Sequence, residues 1–268
     1  MRIYVTVVYL FLYIPIAIIA LFSFSAGRNA SEFAGFSVQW YGKALSNPFV
    51  MDALRTSFTV ALSSAIIAAV FGTMAALALQ GMTGRLRTLF DALIYIAVMI
   101  PGIVIGISTL IALVTVFGWI NPVLTAIFPA PAPQLALGML SLIAAHSLFN
   151  MALVIIIVRA RIAGMDRSFT EASADLYATP FGTFRQITLP LILPGILAGF
   201  LLSFTFSFDD FIIAFFVAGS NTTLPIYVFS SIRRGVTPEI NAIGTMVLAL
   251  SLILLVTAQI FLQRGRKA

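Results

Sequence analysis

Residues 171–190 read EASADLYATPFGTFRQITLP, a polar segment with prolines at 180 and 190 that lies between two strongly apolar stretches. Ser168 precedes Glu171 by three residues, which is the spacing of a capping box. A short helix is therefore predicted to begin here, with Ser168 as its N-cap and Glu171 at the third helical position. A polar segment in this setting indicates a surface that contacts another protein.

The second half of this segment predicts a second short helix. Thr179 and Pro180 are predicted to end the first helix and to act as N-cap and first residue of the next one. Pro190 is predicted to begin the apolar helix that follows. The two short helices should then form a hairpin at the membrane surface. On spacing alone, a solvated loop in which Glu171 only caps a helix is the alternative.

The composition places the chain in a lipid bilayer. Of its 268 residues, 61% are apolar and 9% are charged, and the mean hydropathy is +1.09. A soluble domain needs about a quarter charged residues, so that class is excluded. The chain has no cysteine, which excludes disulfides and cysteine metal sites.

Several segments are long and apolar enough to cross a bilayer as helices, which takes about 20 residues. They lack the period-two alternation of a membrane barrel. We therefore expect an all-α integral membrane protein, a six-transmembrane-helix bundle that forms a single transmembrane domain over residues 1–268. The polar segment belongs to a predicted cytoplasmic loop, residues 159–188. The predicted spans are residues 3–24, 56–80, 92–117, 134–158, 189–218 and 241–262.

The lysines and arginines predict the orientation, because loops rich in these residues stay in the cytoplasm. With a cytoplasmic N-terminus, the cytoplasmic loops carry the larger set, so both termini are predicted to be cytoplasmic. No basic patch is interleaved with aromatic residues, which argues against nucleic-acid binding. The predicted cytoplasmic set is Arg2, Arg85, Arg87, Arg159, Arg161, Arg167, Arg185, Arg264, Arg266 and Lys267, and the outer set is Arg28, Lys43, Arg55, Arg233 and Arg234.

Two stretches outside these spans also carry structural signals. Residues 25–55 contain Phe36, Trp40 and Tyr41, which predict a short interfacial helix anchored by aromatic side chains at the headgroup level. Residues 118–133 are uncharged and end in PAPAP, which predicts a tight turn with a re-entrant or interfacial element.

The polar segment resembles the cytoplasmic coupling loop, often called the EAA loop, of permease subunits in bacterial ABC importers. EAS at 171–173 matches the Glu-Ala-Ala start of that loop, and ITLP at 187–190 matches its Ile-x-Leu-Pro end. Tyr177 stands where this family usually has glycine. A left-handed tyrosine would cost about 1 kcal/mol, so Tyr177 is predicted to keep right-handed helical geometry or to pack into a groove of the partner.

A second resemblance extends over nearly the whole chain. Residues 202–245 read LSFTFSFDDFIIAFFVAGSNTTLPIYVFSSIRRGVTPEINAIGT and are similar to the second-half signature of the polyamine (spermidine and putrescine) permease branch of the binding-protein-dependent transport family. This resemblance implies the type I ABC importer permease fold and a place in the bacterial inner membrane. The partners it implies are two ATPase subunits, a second homologous permease subunit, a periplasmic substrate-binding protein and membrane lipid.

The sequence shows no machinery for ATP hydrolysis. A Walker A loop needs GxxxxGK followed by Ser or Thr, and Lys43 and Lys267 lie in no such context. We therefore expect a transport subunit without catalytic residues, metal or cofactor, with ATP and Mg bound by the partner ATPase. The residues expected to couple to that ATPase are Phe169, Glu171, Ala172, Ser173, Leu176, Tyr177 and Phe181.

The paired acids Asp209 and Asp210, with Phe208 and Phe211 beside them, are the candidate residues of the substrate path. An acid within a membrane needs water, an opposite charge or a cation, and aromatic rings attract alkylammonium groups. Adjacent helical residues point about 100° apart. One acid is therefore expected to face the path while the other pairs with an outer-loop arginine or caps backbone amides. The alternative is that both acids are structural.

The sequence also allows predictions for one histidine and for three charged residues of an outer loop. His146, in the fourth span, is expected to bond to a carbonyl or hydroxyl inside the bundle rather than to relay protons or to bind substrate. Arg233, Arg234 and Glu239, on the outer loop, are candidate docking residues for the binding protein, or ordinary solvated charges.

The sequence thus predicts a permease subunit of an ATP-driven importer that forms half of the translocation path for a small cationic solute, with a polyamine as the favoured substrate. Another small amino or opine-type solute is an alternative. An ion-driven carrier would work without a separate ATPase, and a structural membrane protein would show no transport.

Overall fold

The computed structural model describes residues 1–29, 32–166 and 168–264, and within these ranges the chain is almost entirely helical. The orientation prediction also uses Arg167, Arg266 and Lys267, which lie outside the described residues. The helices are α1 (Arg2–Phe22), α2 (Gln39–Ser46), α3 (Pro48–Ala78), α4 (Gly84–Met99), α5 (Gly102–Ile127), α6 (Met139–Ala163), α7 (Ser168–Asp175), α8 (Pro180–Thr183), α9 (Leu189–Asp209), α10 (Ile212–Val217), α11 (Leu224–Arg234) and α12 (Pro238–Arg264).

The helices form two compact units, of which the first comprises residues 1–55 and 224–268. Within it, α12 packs against α1 and α2. The predicted interfacial helix corresponds to α2, but its Trp40 is buried, and the indole N–H donates a hydrogen bond of 2.9 Å to the carbonyl of Ser25. The Trp40 ring therefore packs inside the unit, and anchoring of α2 at the headgroup level stays a prediction that concerns the exposed Phe36.

The second unit comprises residues 56–223 and is built around α6. Glycines let the helices approach closely, because a Cβ on Gly72 of α3 would lie 2.8 Å from the Cβ of Val154 on α6. Gly199 of α9 contacts the same valine from another side. The apolar core is formed by Ala68, Ala76, Leu79, Ile94, Ala152, Val154, Ile155, Val158, Ile162 and Ile192.

An ion pair joins α4 to α6 at one end of this core. The guanidinium of Arg159 donates a hydrogen bond to a carboxylate oxygen of Asp91. Arg87 lies 3.8 Å from the other oxygen of Asp91, four residues away on the same helix. The partly buried Asp91 is therefore held by two arginines, as a charge in this setting requires.

Five helical segments of the described chain are long and apolar enough to cross a membrane. The predicted sixth span corresponds to α12, whose apolar part runs over Pro238–Ile253; the side chains of residues 254–264 lie outside the described ones. The five segments are Tyr4–Phe22, Pro48–Ala78, Gly102–Ile127, Met139–Ala163 and Pro180–Asp209.

Three predicted boundaries are wrong. The span at 92–117 is divided between α4 and α5, because Ile100 before Pro101 takes the extended backbone with ψ of 135°. The turn expected at 118–133 is helical as far as Ile127, since a membrane helix tolerates a proline such as Pro122. The span at 189–218 is interrupted at Asp210, where ψ of 122° ends α9.

Candidate functional site

The polar segment at 171–190 folds as a hairpin of α7 and α8. Thr179 is the N-cap of α8, and its hydroxyl accepts a hydrogen bond of 3.1 Å from the N–H of Gly182. The hydroxyls of Ser173 and Thr183 lie 2.8 Å apart and join the two helices. A π-helical segment, Phe184–Thr188, then continues α8 into α9. The second helix of the hairpin is thus continuous with a membrane-spanning helix.

The start of α7 differs from the predicted capping box. Ser168 is the first residue of the helix rather than its N-cap. Its backbone N–H donates a 2.9 Å hydrogen bond to the carboxylate of Asp166, and bonds from this backbone N–H and from the Ser168 side chain lower the pKa of Asp166. A carboxylate at a helix N-terminus also meets the positive end of the helix dipole, so Asp166 is a favourable acceptor at the start of α7.

Tyr177 ends α7 in the left-handed conformation, with φ of +58°. The prediction of right-handed geometry is therefore wrong. The N–H of Tyr177 donates to the carbonyl of Ala174 at 2.9 Å, and the N–H of Ala178 donates to the carbonyl of Ser173 at 3.1 Å. These two bonds form a Schellman motif, in which glycine is the usual left-handed residue. The backbone thus keeps the glycine-type turn although a tyrosine occupies the position.

The hairpin exposes several large apolar side chains, which are unfavourable in contact with water. Leu176 is 81% exposed, Tyr177 96%, and both Phe169 and Phe181 are more than half exposed. Glu171 and Ala172 are exposed as well, whereas Ser173 is buried and serves the internal bond described above. An exposed apolar group of this kind marks a protein or membrane contact.

The paired aspartates have different surroundings. Asp209 is the last residue of α9 and is exposed, whereas Asp210 is half-buried. Oδ2 of Asp210 accepts a 2.9 Å hydrogen bond from the N–H of Ala214 and thereby caps α10. One acid therefore caps backbone amides, which is one of the two roles considered for it. Pairing with the arginines of the other unit stays a prediction.

Phe208 and Phe211, the aromatic neighbours of the acids in the chain, also have different packing partners. Phe208 is buried and stacks on Phe204 with 5.9 Å between ring centroids, so it belongs to the helix packing. Phe211 contacts Phe215 at 5.4 Å. The rings that reach the neighbourhood of Asp210 are instead those of Phe149 and Phe206, which line the same cavity as this acid.

His146 lies inside the bundle, 3% exposed, and is bonded to a hydroxyl as expected. Its Nδ1 is 2.6 Å from Oγ of Ser207, and Oγ of Ser64 donates to the same serine at 3.0 Å. Its Nε2 faces Oδ2 of Asp210 at 3.5 Å. This chain of polar groups links α3, α6 and α9 to the acid that caps α10.

Sequence reasoning missed Asn150 and Ser207. Asn150 is 1% exposed and lines the cavity together with Asp210. A signal was present, because His146 and Asn150 are four residues apart on one helix, as are Ser203 and Ser207 on another. Polar residues at this spacing form a stripe on one face of an apolar helix. Within the described residues, no three His, Asp or Glu side chains are grouped as metal ligands.

The candidate binding-protein residues lie in the first unit. Arg233 and Arg234 are exposed at the end of α11, and Arg234 donates to the hydroxyl of Ser231 at 3.2 Å. Glu239, at the start of α12, accepts a 3.0 Å hydrogen bond from the amide of Asn47. Glu239 therefore holds its own unit together, while both arginines present their charge outward.

Comparison with known proteins identifies the class of this helical chain. Residues 68–265 match the family described as binding-protein-dependent transport system inner membrane component. The chain belongs to this family. It is thus a multi-pass inner membrane component of a transport system.

Two relatives of this inner membrane component are named as permease proteins of polyamine transport systems. It is 39% identical to the putrescine transport system permease protein PotI of Escherichia coli (strain K12), over 244 residues that cover 89% of the chain and 82% of the relative. It is 36% identical to the spermidine/putrescine transport system permease protein PotC of Haemophilus influenzae, over 260 residues, 97% of the chain and 95% of the relative.

Solved structures show the fold to be that of type I ABC importer permeases. One is a bacterial ABC transporter involved in the import of the acidic polysaccharide alginate, with a TM-score of 0.74, 14% identity and coverage of 97% of this chain and 92% of the other. Another is the MetNI methionine ABC transporter, with a TM-score of 0.61, 15% identity and coverage of 81% and 95%. At these identities the likeness concerns the fold alone.

Proposed function

We propose that this chain is a permease subunit of an ATP-driven importer and that its substrate is a polyamine such as putrescine or spermidine. The main support for a polyamine substrate comes from the relatives of this chain. They are named as putrescine and spermidine/putrescine permeases, and they are 36–39% identical to it over most of its length. The half-buried Asp210, which lines a cavity inside the helix bundle, supplies a charge complementary to a cation. A second, homologous permease would complete the translocation path.

We further propose that ATP and Mg are bound by two separate ATPase subunits and that the α7–α8 hairpin docks on them. Support comes from the exposed apolar side chains Leu176, Tyr177 and Phe181 on this hairpin. Because α8 continues through the π-helical segment into α9, movement of the docked hairpin is transmitted to a membrane-spanning helix. From the distribution of arginines and lysines we also propose that both termini lie in the cytoplasm and that Arg233 and Arg234 lie on the periplasmic side, facing a substrate-binding protein.

Uptake of radiolabelled putrescine tests this proposal. The complete transport system is expressed in cells that lack their own polyamine importers, and a matched strain carries the partner ATPase with its catalytic carboxylate removed. We expect uptake that spermidine inhibits, that 1,4-butanediol and glutamate leave unchanged, and that the ATPase variant abolishes. Uptake of another amino solute without polyamine uptake would contradict the substrate, and putrescine uptake that survives in the ATPase variant would contradict the importer mechanism.

A further inference from the structure

The second unit contains a partly open cavity of about 200 Å³, in which a few polar side chains lie in an otherwise apolar lining. Its polar lining consists of His146 and Asn150 from α6, Ser207 from α9 and Asp210 between α9 and α10. The phenyl rings of Phe149 and Phe206 also line it. A carboxylate, an amide and two aromatic rings thus line one cavity.

Asn150 shows that this cavity is built for a polar occupant. Its side chain is 1% exposed, and neither its amide oxygen nor its amide nitrogen has a hydrogen-bond partner among the described residues. A buried amide is normally hydrogen-bonded, because it loses its bonds to water when it is buried. An occupant that offers a hydrogen-bond donor would restore the bond to the amide oxygen.

The neighbouring groups fix the polarity of the cavity. Oδ2 of Asp210 is held by the N–H of Ala214 and faces Nε2 of His146, which has no hydrogen-bond partner among the described residues. If Ser207 donates to Nδ1 of His146, Nε2 carries the proton and points towards the carboxylate. With that tautomer the imidazole is neutral, and among the described residues no Lys or Arg pairs with the Asp210 carboxylate.

This combination suits an alkylammonium group and disfavours an anion. An ammonium group donates three hydrogen bonds and accepts none, so the carboxylate of Asp210 and the amide oxygen of Asn150 are suitable partners. Phe149 and Phe206 have ring centroids 6.4 Å apart at an interplanar angle of 61°, and aromatic faces attract cations. An anion would meet the carboxylate and be repelled.

We propose that this cavity, centred on Asn150 and Asp210, binds one ammonium end of the transported polyamine inside the membrane. The inference rests on the proposed function and deepens it by assigning a binding site within this chain. The site is distinct from the one on the periplasmic binding protein, since every residue that lines it belongs to this chain. Asn150 and Phe206 thereby become binding residues beside the acid.

Cysteine labelling tests the site, because the natural chain has no cysteine. Asn150→Cys is introduced into the full transporter in lipid nanodiscs and reacted with 2-aminoethyl methanethiosulfonate, a thiol reagent that carries an ammonium group. Phe149→Cys is a second reporter in case the first variant fails to assemble. Ala152→Cys is the matched control, because Ala152 lies two residues away in the apolar core.

We expect Asn150→Cys to be modified and Ala152→Cys to be inert. Putrescine at ten times its dissociation constant should slow the modification about tenfold, whereas 1,4-butanediol should not. Equal protection by 1,4-butanediol and putrescine would contradict an ammonium site. The absence of protection by putrescine at both reporter positions would contradict it as well, and water would then be the occupant of the cavity. The proposed function is checked separately on the wild-type assembly, whose ATPase response to putrescine-loaded binding protein does not depend on these variants.

Discussion

The carboxylate of Asp210 accepts a hydrogen bond from the backbone N–H of Ala214, with 2.9 Å between Oδ2 and the nitrogen. This bond explains why α9 ends at Asp209 and a new helix, α10, begins two residues after Asp210. The acid caps the new helix and at the same time presents its charge to the cavity that contains Asn150. Asp209, its exposed neighbour, does neither.

The first prediction separates the cap from the charge of Asp210. Asp210→Ala removes the cap and should destabilise the subunit by about 0.5–2 kcal/mol. Asp210→Asn keeps a side-chain oxygen that can accept the bond from Ala214, so its stability should be closer to that of the wild type. Thermal unfolding of the assembled transporter in detergent gives the comparison. Equal stabilities of the alanine variant and the wild type would show that the cap contributes nothing.

The second prediction concerns the left-handed tyrosine. Tyr177→Gly should stabilise the end of α7 by about 1 kcal/mol, because glycine adopts positive φ without a Cβ clash. Tyr177→Ala is the matched control, since it removes the ring but keeps the Cβ. Amide hydrogen exchange at Tyr177 and Ala178, the two donors of the Schellman motif, measures the local opening. If exchange slows to the same extent in both variants, the stabilisation comes from loss of the tyrosine ring and not from the backbone conformation of glycine.

The third prediction tests the close approach of α3 and α6. A Cβ at Gly72 would lie 2.8 Å from the Cβ of Val154 and 3.2 Å from the carbonyl of Met151, so Gly72→Ala should cost about 1–3 kcal/mol. Gly118→Ala is the control, because nothing lies within 4 Å of a Cβ at this position of α5. The melting temperature of the purified subunit should fall only for Gly72→Ala. Equal melting temperatures would mean that these helices pack differently.

The fourth prediction concerns docking of the hairpin on the ATPase. Burying a leucine side chain in an interface contributes about 1.5–3 kcal/mol, so Leu176→Asp should weaken ATPase binding by about tenfold or more. Gln80→Asp is the control, since it changes charge at an exposed residue outside the hairpin. The amount of ATPase that copurifies with the tagged permease provides the measurement. If the Leu176→Asp variant copurifies as much ATPase as the wild type, the hairpin is not part of the interface with the ATPase.

Local signals in the sequence predicted the hairpin well. The cap at Thr179 and the helix start at Pro180 depend on residues adjacent in the chain, and the structure has both. The geometry of Tyr177 was not predictable from its own preference, because the two Schellman bonds and the continuation into α8 outweigh the Cβ penalty. In this case the position in the motif, rather than the residue type, determines the backbone.

The polar cavity was harder to find in the sequence. Asn150 and Asp210 are far apart in the chain, and the cavity exists only because α6 and α9 pack side by side. Asp210 was identified from the paired-acid motif, whereas Asn150 has no local motif beyond its spacing of four from His146. Which polar stripes face each other depends on helix rotation, and helix rotation is set by packing at positions such as Gly199 and Val154.

The most direct test of the central claim is ATP hydrolysis by the complete transporter in lipid nanodiscs. Its own binding protein is loaded in turn with putrescine, with spermidine, with a neutral solute and with an anionic solute. We predict that hydrolysis rises with the two polyamines and stays at the basal rate with the other two. Stimulation by the neutral or anionic solute alone would contradict the polyamine substrate, and an assembly without a copurifying ATPase would contradict the coupling on which the mechanism depends.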